Sequence, residues 1–291
     1  MRNRHSTDEI AMDERSAMML GTALSEYTEG RILSVPIRLA CTESWSGNER
    51  TASLVELPGL DVYVYSVPFG PGNAGGDVHH LSVCPDCILS RIALADVSGH
   101  GQSVASFGEK LRNLMQRYLG SLSPKELMQD LNQAVREELD NVHYATMVAV
   151  GWHSRRGLLG IRNAGHPVPL SYRASRREWR WLEIKHDSKR GQPSDVPLGL
   201  LADVNYGGRV LKPQPGDLVV LYSDGVSEAT EPSGRELGLH GLMKIATALD
   251  CSSASTFGTQ LTSALRDFRG GEVPLDDTTI IVIRRDELSA D

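Results

Sequence analysis

Cysteine is scarce in this chain, with four in 291 residues. That is too few for the disulfide frameworks that hold small secreted folds together. Long apolar runs are missing as well: nothing approaches the roughly 18 consecutive apolar residues of a membrane-crossing helix. The opening MRNRHSTDEIAMDERSAMML turns from basic to acidic without the apolar stretch of a secretory leader. A cytoplasmic protein with no membrane association is therefore expected. Basic charge is not in excess either. Thirty Lys and Arg stand against 37 Asp and Glu, a net −7, which argues against nucleic acid as the main partner. It leaves room for carboxylates that a bound cation would neutralise. What is present is globular: 40% hydrophobic and 23% charged residues suffice for the core of one large domain or two ordinary ones.

Residues 1–55 read as an N-terminal arm of unknown role. SAMMLGTALSEY has the pattern of a short helix, and CTESWSGNERT reads as a loop. From Leu57 the pattern sharpens. DVYVYSVPF alternates and is β-branched and aromatic, so it predicts a strand; DVHHLSV and ILSRIALAD predict two more, joined by the turn CPDC. A helix is expected over 103–119, with Phe107, Leu111, Leu114, Met115 and Tyr118 on one side. A second begins at SPKE, where Ser123 caps, Pro124 opens and Glu126 closes a capping box. Further strands are read in YATMVAVGWH, GLLGIRNAG, PVPLSYR, EWRWLEI and PGDLVVLYSDG, and KHDSKRGQPSD reads as a surface loop. Helices follow in ELGLHGLMKIATALD and SASTFGTQLTSALRDF, and DDTTIIVIRR closes the chain. One α+β domain over residues 56–291, mostly antiparallel with inserted helices, is the coarse expectation.

Several strands border an aspartate: IALAD at Asp96, LVVLYSD at Asp224, DDTTIIVI at Asp276 and Asp277, while Asp77 follows two glycines and opens a strand. A carboxylate at a buried strand end is costly unless paired or bound to metal. No basic partners stand at matching positions. Oxygen donors suit hard cations such as Mg²⁺ or Mn²⁺, so these aspartates are candidates for one binuclear site. Each one alone is equally readable as a turn former or helix cap.

The segments GGD (75–77), ADVSGHG (95–101), YATMVAV (144–150), NAGHPVPL (163–170), PLGL (197–200), PGDLVVLYSDGVSEA (215–229) and DDTTIIV (276–282) occur in this order. Together they closely resemble the metal-dependent protein phosphatases of the PPM family, in the bacterial SpoIIE/RsbU-like branch, over about residues 57–285. Each motif is short; their number and order carry the resemblance. It implies a central antiparallel β-sandwich with helices on both outer faces. It implies two Mn²⁺ or Mg²⁺ ions held by Asp77, Asp96, the backbone carbonyl of Val97, Asp224 and Asp276, with Asp277 a close competitor. The implied activity is hydrolysis of phosphoserine or phosphothreonine on a protein, usually a phosphorylated anti-anti-sigma (STAS) protein in this branch, by a water held between the ions. Any sensory domain is expected on an upstream regulatory partner or to be absent.

Where many relatives carry a second aspartate after GGD, this chain has His80, readable as a weaker ligand or as a plain strand residue. His100 is a candidate proton donor to the leaving serine oxygen or a loop residue, and His166 a candidate buttress near the site. Four rival readings compete with the phosphatase. GQSVA at 101–105 has the form of a nucleophile elbow, with Ser103, Asp224 and His240 in order. GPGNAG matches a dinucleotide-binding pattern, but a strand follows it rather than a helix. CPDC with His79 and His80 has zinc-like spacing, though neighbouring strand residues face opposite ways; a turn with two bystander thiols is the simpler account. Finally, a domain short of metal ligands would bind a phosphoprotein without turning it over.

Overall fold

A computed structural model describes residues 35–70, 74–99, 102–118, 124–138, 143–185 and 196–286. The strands are β1 (Ile37–Arg38), β2 (Ser44–Glu49), β3 (Thr51–Leu57), β4 (Leu60–Val67), β5 (Ala74–Val83), β6 (Leu89–Val97), β7 (Ala145–His153), β8 (Leu158–Ala164), β9 (Leu170–Arg173), β10 (Glu178–Trp181), β11 (Gly208–Leu211), β12 (Leu218–Tyr222) and β13 (Thr278–Arg285). The helices are α1 (Gln102–Tyr118), α2 (Pro124–Glu138), the single turn α3 (Asp224–Ser227), α4 (Gly238–Ala248) and α5 (Ala254–Phe268). None of these helices is long and apolar enough to cross a membrane.

The strands form a seven-stranded sheet, β1-β3-β4-β13-β12-β9-β10, and a six-stranded sheet, β11-β8-β7-β6-β5-β2. Every pairing is antiparallel except β1 with β3. The sheets meet face to face because alternate residues of each are apolar. Leu81, Ile92, Leu94, Val148 and Val150 meet Val62, Val64, Val219, Leu221 and Ile281 in the middle layer. The other face of β5, β6 and β7 carries Val78, Ala93, Ala95 and Ala149, small residues against which α1 and α2 lie through Phe107, Leu111, Met115, Leu127 and Leu131. On the opposite side Tyr63, Val220, Tyr222 and Val282 are covered by α4 and α5 through Leu242, Phe257 and Leu261. A strand buried on both faces reads as continuous apolar sequence, as LVVLY of β12 does. The four-layer arrangement is the sandwich with helices outside that the resemblance implied.

Some elements differ from the sequence reading. Much of the supposed arm belongs to the sheets: CTESWSGNERT is not a loop but supplies β2, paired to β5. Its only large apolar side chain in the strand is Trp45, so alternation gave no signal. β11 was not expected at all; its pairing with β8 is what makes it a strand. The two thiols of CPDC are not both bystanders. Cys87 is joined to Cys41, with Cα atoms 5.0 Å apart across a separation of 46 residues, while Cys84 is free. Nothing in the sequence spacing announced that pair, because the fold alone brings the loop before β2 against the β5–β6 turn.

Candidate metal centre

Strand register gathers the aspartates at one end of the sandwich. Val78 opposes Ala95, so Asp77 at the start of β5 stands beside Asp96 near the end of β6. Asp96 in turn opposes Thr146 on β7. In the other sheet Tyr222 opposes Ile280, which brings the residues just after β12, including Asp224, to those just before β13, Asp276 and Asp277.

Asp77 is 3% exposed, and neither carboxylate oxygen accepts a hydrogen bond of ordinary geometry. Burial, followed by the charge of Asp277, holds its carboxyl well above the usual range. The hydroxyls of Ser223 and Thr279 oppose that only in part, and Asp224 adds to it. Asp96 is pushed up to about 10 by burial and then by Asp77, Asp224, Asp276 and Asp277. Asp224 is raised by burial first and by Glu228 next, with the Gly225 N–H working against them and Asp277 adding to the rise. Among the described residues, the charged neighbours that shift Asp77, Asp96 and Asp224 are acidic, so the carboxylates raise one another.

The last two aspartates differ in their surroundings. Asp277 turns its carboxylate onto the GGD backbone at the start of β5, accepting from the backbone N–H of Phe69 at 2.6 Å and of Gly76 at 2.5 Å, with Asp77 N–H at 3.4 Å. A Cβ on Gly75 would lie 2.5 Å from its Oδ1, so a glycine is needed for this approach. Asp276 Oδ1 accepts the Asp277 N–H at 2.8 Å. Gly225 is equally constrained: its Cβ would sit 2.1 Å from the Asp277 carbonyl oxygen. The Val97 carbonyl comes within 3.3 Å of where a Gly76 Cβ would be, and the Val97 side chain is buried under α1.

Other residues hold these loops. Ser223 and Thr279 are tied by Ser223 N–H to Thr279 O at 3.0 Å and Thr279 N–H to Ser223 Oγ at 2.9 Å. Buried Arg269 donates to the Gly225 carbonyl at 3.1 Å and to Thr278 Oγ1 at 3.2 Å, bracing both acidic loops at once. Sequence reading missed Arg269 because an arginine at a helix end before two glycines reads as a helix terminus. His166 buttresses as expected. Its Nδ1 pairs with Thr146 Oγ1 at 2.8 Å, its N–H donates to Asn163 Oδ1, and burial lowers it to about 3, so it is neutral.

His80 is buried on the helix-facing side of β5, lowered to about 4 by burial and then by Arg91. A neighbouring guanidinium on that face works against holding a cation there. His79 faces the other way, its ring 4.8 Å from that of Trp45, and no zinc site joins the pair to CPDC. His100 and the side chain of Ser103 lie outside the described residues. His240 is exposed on α4, and the antiparallel sandwich lacks the βα alternation of a serine hydrolase. β5 begins at Ala74, so GPGNAG leads into a strand and offers no helix terminus to a dinucleotide.

Among the described residues no three Asp, Glu, His or Cys side chains already stand in chelating geometry. The donor chemistry nonetheless fits a hard divalent ion. Asp77 has two orphaned buried oxygens, Asp96 is raised to about 10 by burial and then by its acidic neighbours, and the donors are all oxygen.

The model for stage II sporulation protein E (SpoIIE) matches residues 90–286. The phosphoserine phosphatase RsbU of Bacillus subtilis (strain 168) is 27% identical over 227 residues, 78% of this chain and 63% of RsbU. The chain thus spans less than two thirds of that relative's length. The PP2C phosphatase domain of SpoIIE from Bacillus subtilis, solved with a fragment of its regulatory domain, superposes with a TM-score of 0.65 at 15% identity, covering 94% of this chain and 76% of that one. RsbX in complex with magnesium superposes at 0.57 with 15% identity, covering 80% and 99%.

Proposed function

Because the chain belongs to the SpoIIE family, we propose that it is a metal-dependent phosphatase that hydrolyses phosphoserine or phosphothreonine on a protein. The observation that carries this reading is the gathering of buried carboxylates at one end of the sandwich, with Asp96 among them. Asp77, Asp96, Asp224 and Asp276 would hold two Mn²⁺ or Mg²⁺ ions, with the Val97 carbonyl as a further ligand. Asp277, already engaged with the GGD backbone at the start of β5, acts as the clamp that sets Asp77 in place. When bound, such ions lower the pKa of a water and offset the charge on the phosphoryl oxygens.

The chain's own residues do the positioning. Arg269 and Ser223 fix the loops that present Asp224 and Asp276. Thr146, held by His166, packs beside Asp96. His100, four residues past Asp96, is the candidate to protonate the leaving serine oxygen. The substrate follows from the branch: a phosphorylated STAS-type protein in sigma-factor regulation, with an upstream regulatory protein as activator, acting in the cytoplasm.

Hydrolysis of p-nitrophenyl phosphate and of a phosphoserine peptide with Mn²⁺ tests the reading. Activity lost on chelation and in Asp96→Asn is the expected result. Tight binding of the phosphoprotein without turnover would instead favour a regulator that holds its partner, a reading kept in view by the missing chelating geometry.

A further inference from the structure

The open side of the sandwich, away from the aspartates, carries a cleft of about 720 Å³ where the edge strands of both sheets meet. β10 ends the seven-stranded sheet and β11 ends the six-stranded one. The chain crosses between them through Lys185, which bridges to Gly208, and the Arg209 guanidinium donates to the Glu183 carbonyl at 3.1 Å. Arg173, Arg176, Arg180, Arg209, Trp179 and Trp181 line the cleft. From here we infer that this cleft docks an extended acidic segment of a partner protein.

Charge is the first argument. Residues 173–185 hold five cations, Arg173, Arg176, Arg177, Arg180 and Lys185, against Glu178 and Glu183, in a chain whose net charge is −7. Some of this charge is answered internally, as Arg173 pairs with Asp217 at 3.4 Å and Arg180 with Glu178 at 2.7 Å. Exposed Arg176 and Arg177 make no ion pair among the described residues.

Backbone shape is the second. Arg177 adopts a left-handed conformation, φ 51°, ψ 44°, closing the turn over Ala174–Arg176. That conformation costs a non-glycine side chain about 1–2 kcal/mol, where Gly or Asn would sit more easily. Arg177 is not itself in the cleft lining; it adds an exposed charge beside Arg176, which is, at that local cost.

The third is the edge itself. Among the described residues β10 pairs only with β9, so an incoming strand finds backbone groups to bond, arginines for carboxylates and indole surface for apolar positions. The interspersed glutamates and the overall negative charge disfavour nucleic acid.

The cleft is separate from the carboxylates. Trp181 pairs with Leu170, which pairs with Val220, four residues before Asp224. At about 3.3 Å per residue and 4.8 Å between strands, the separation is roughly 15–20 Å. Docking therefore does not depend on the catalytic reading.

The test uses the full chain and a fluorescein-labelled peptide of alternating glutamate and valine, about twelve residues long, followed by anisotropy. Arg176→Glu/Arg177→Glu is expected to weaken binding at least tenfold. Arg155→Glu/Arg156→Glu, the same charge change on the exposed β7–β8 turn, is expected to change it less than twofold. Hydrolysis of p-nitrophenyl phosphate is expected to stay unchanged in both, so loss of docking is distinguishable from loss of catalysis. Equal weakening by the two reversals, or no saturable binding by wild type, overturns the inference. A single-stranded oligonucleotide that binds more tightly and displaces the peptide overturns it in favour of a nucleic-acid site.

Discussion

At the scale of single residues, the acidic cluster sets chemistry against stability. The Asp96 carboxyl sits at about 10 in the fold, against 3.8 for the free residue. The folded protein therefore binds this proton more tightly than the unfolded chain does. The linked stability is complete below about pH 4 and is lost as pH rises toward 10. Without metal, the melting temperature should fall across that range, most clearly from pH 5 to 9, and Asp96→Asn should flatten the profile while abolishing hydrolysis. Differential scanning fluorimetry against pH checks this; a variant melting below wild type at pH 8 would contradict it. Asp277 makes a different prediction. Asp277→Ala strips two backbone N–H groups of their acceptor, at about 1–3 kcal/mol, and lowers hydrolysis by displacing Asp77. Asp277→Asn keeps one carbonyl acceptor but turns an amide NH2 toward the other backbone donor, because Phe69 and Gly76 use different carboxylate oxygens, so it should recover only part of that loss in urea denaturation. Neither role was readable from DDTT, because adjacent residues at a strand entrance differ only in which way the turn points them.

At the scale of elements, the strands that were legible are those buried on both sides. LVVLY and TTIIVI are apolar throughout, and no neighbour is needed to identify them. β2 and β11 were illegible because their strand state depends on pairing with β5 and β8. α5 was legible at its start as well: Ser253 accepts the Thr256 N–H at 2.9 Å, a capping pattern written locally. The Cys41–Cys87 bridge belongs to this scale too, since it ties the entry of β2 to the β5–β6 turn. Closing a loop of that length contributes about 2–4 kcal/mol in the chain-entropy account. Reduction, or Cys41→Ser, should lower the denaturation midpoint by a corresponding amount. A shift under about 0.5 kcal/mol would show that β2 is held by its sheet alone.

At the scale of the whole molecule, the two sheets and their helix layers bring together segments from four distant parts of the chain, residues 75–77, 96–97, 224–225 and 276–277. A cation bound there is linked to the global fold. At a hundred times its dissociation constant, Mn²⁺ should stabilise wild type by about 2.7 kcal/mol. Asp77→Asn should remove most of that gain. Thermal melts with and without Mn²⁺ measure it, and an unchanged melting temperature in wild type would count against a metal centre. The same scale produces the arginine and tryptophan cleft, because β10 and β11 come within reach only when the two sheets stack.

The sequence by itself determined most of the buried strands, the helices and the acidic candidates, since apolar alternation decides what a strand must bury and glycine-flanked aspartates at strand ends advertise an exceptional cost; the layering came from the family resemblance. Only the tertiary structure decided that Asp77 stands beside Asp96, that Asp277 faces the GGD backbone, that Arg269 braces both acidic loops and that Cys41 meets Cys87. Those relations are set by strand register and loop direction, which depend on partners far away in the chain and leave no local pattern to read.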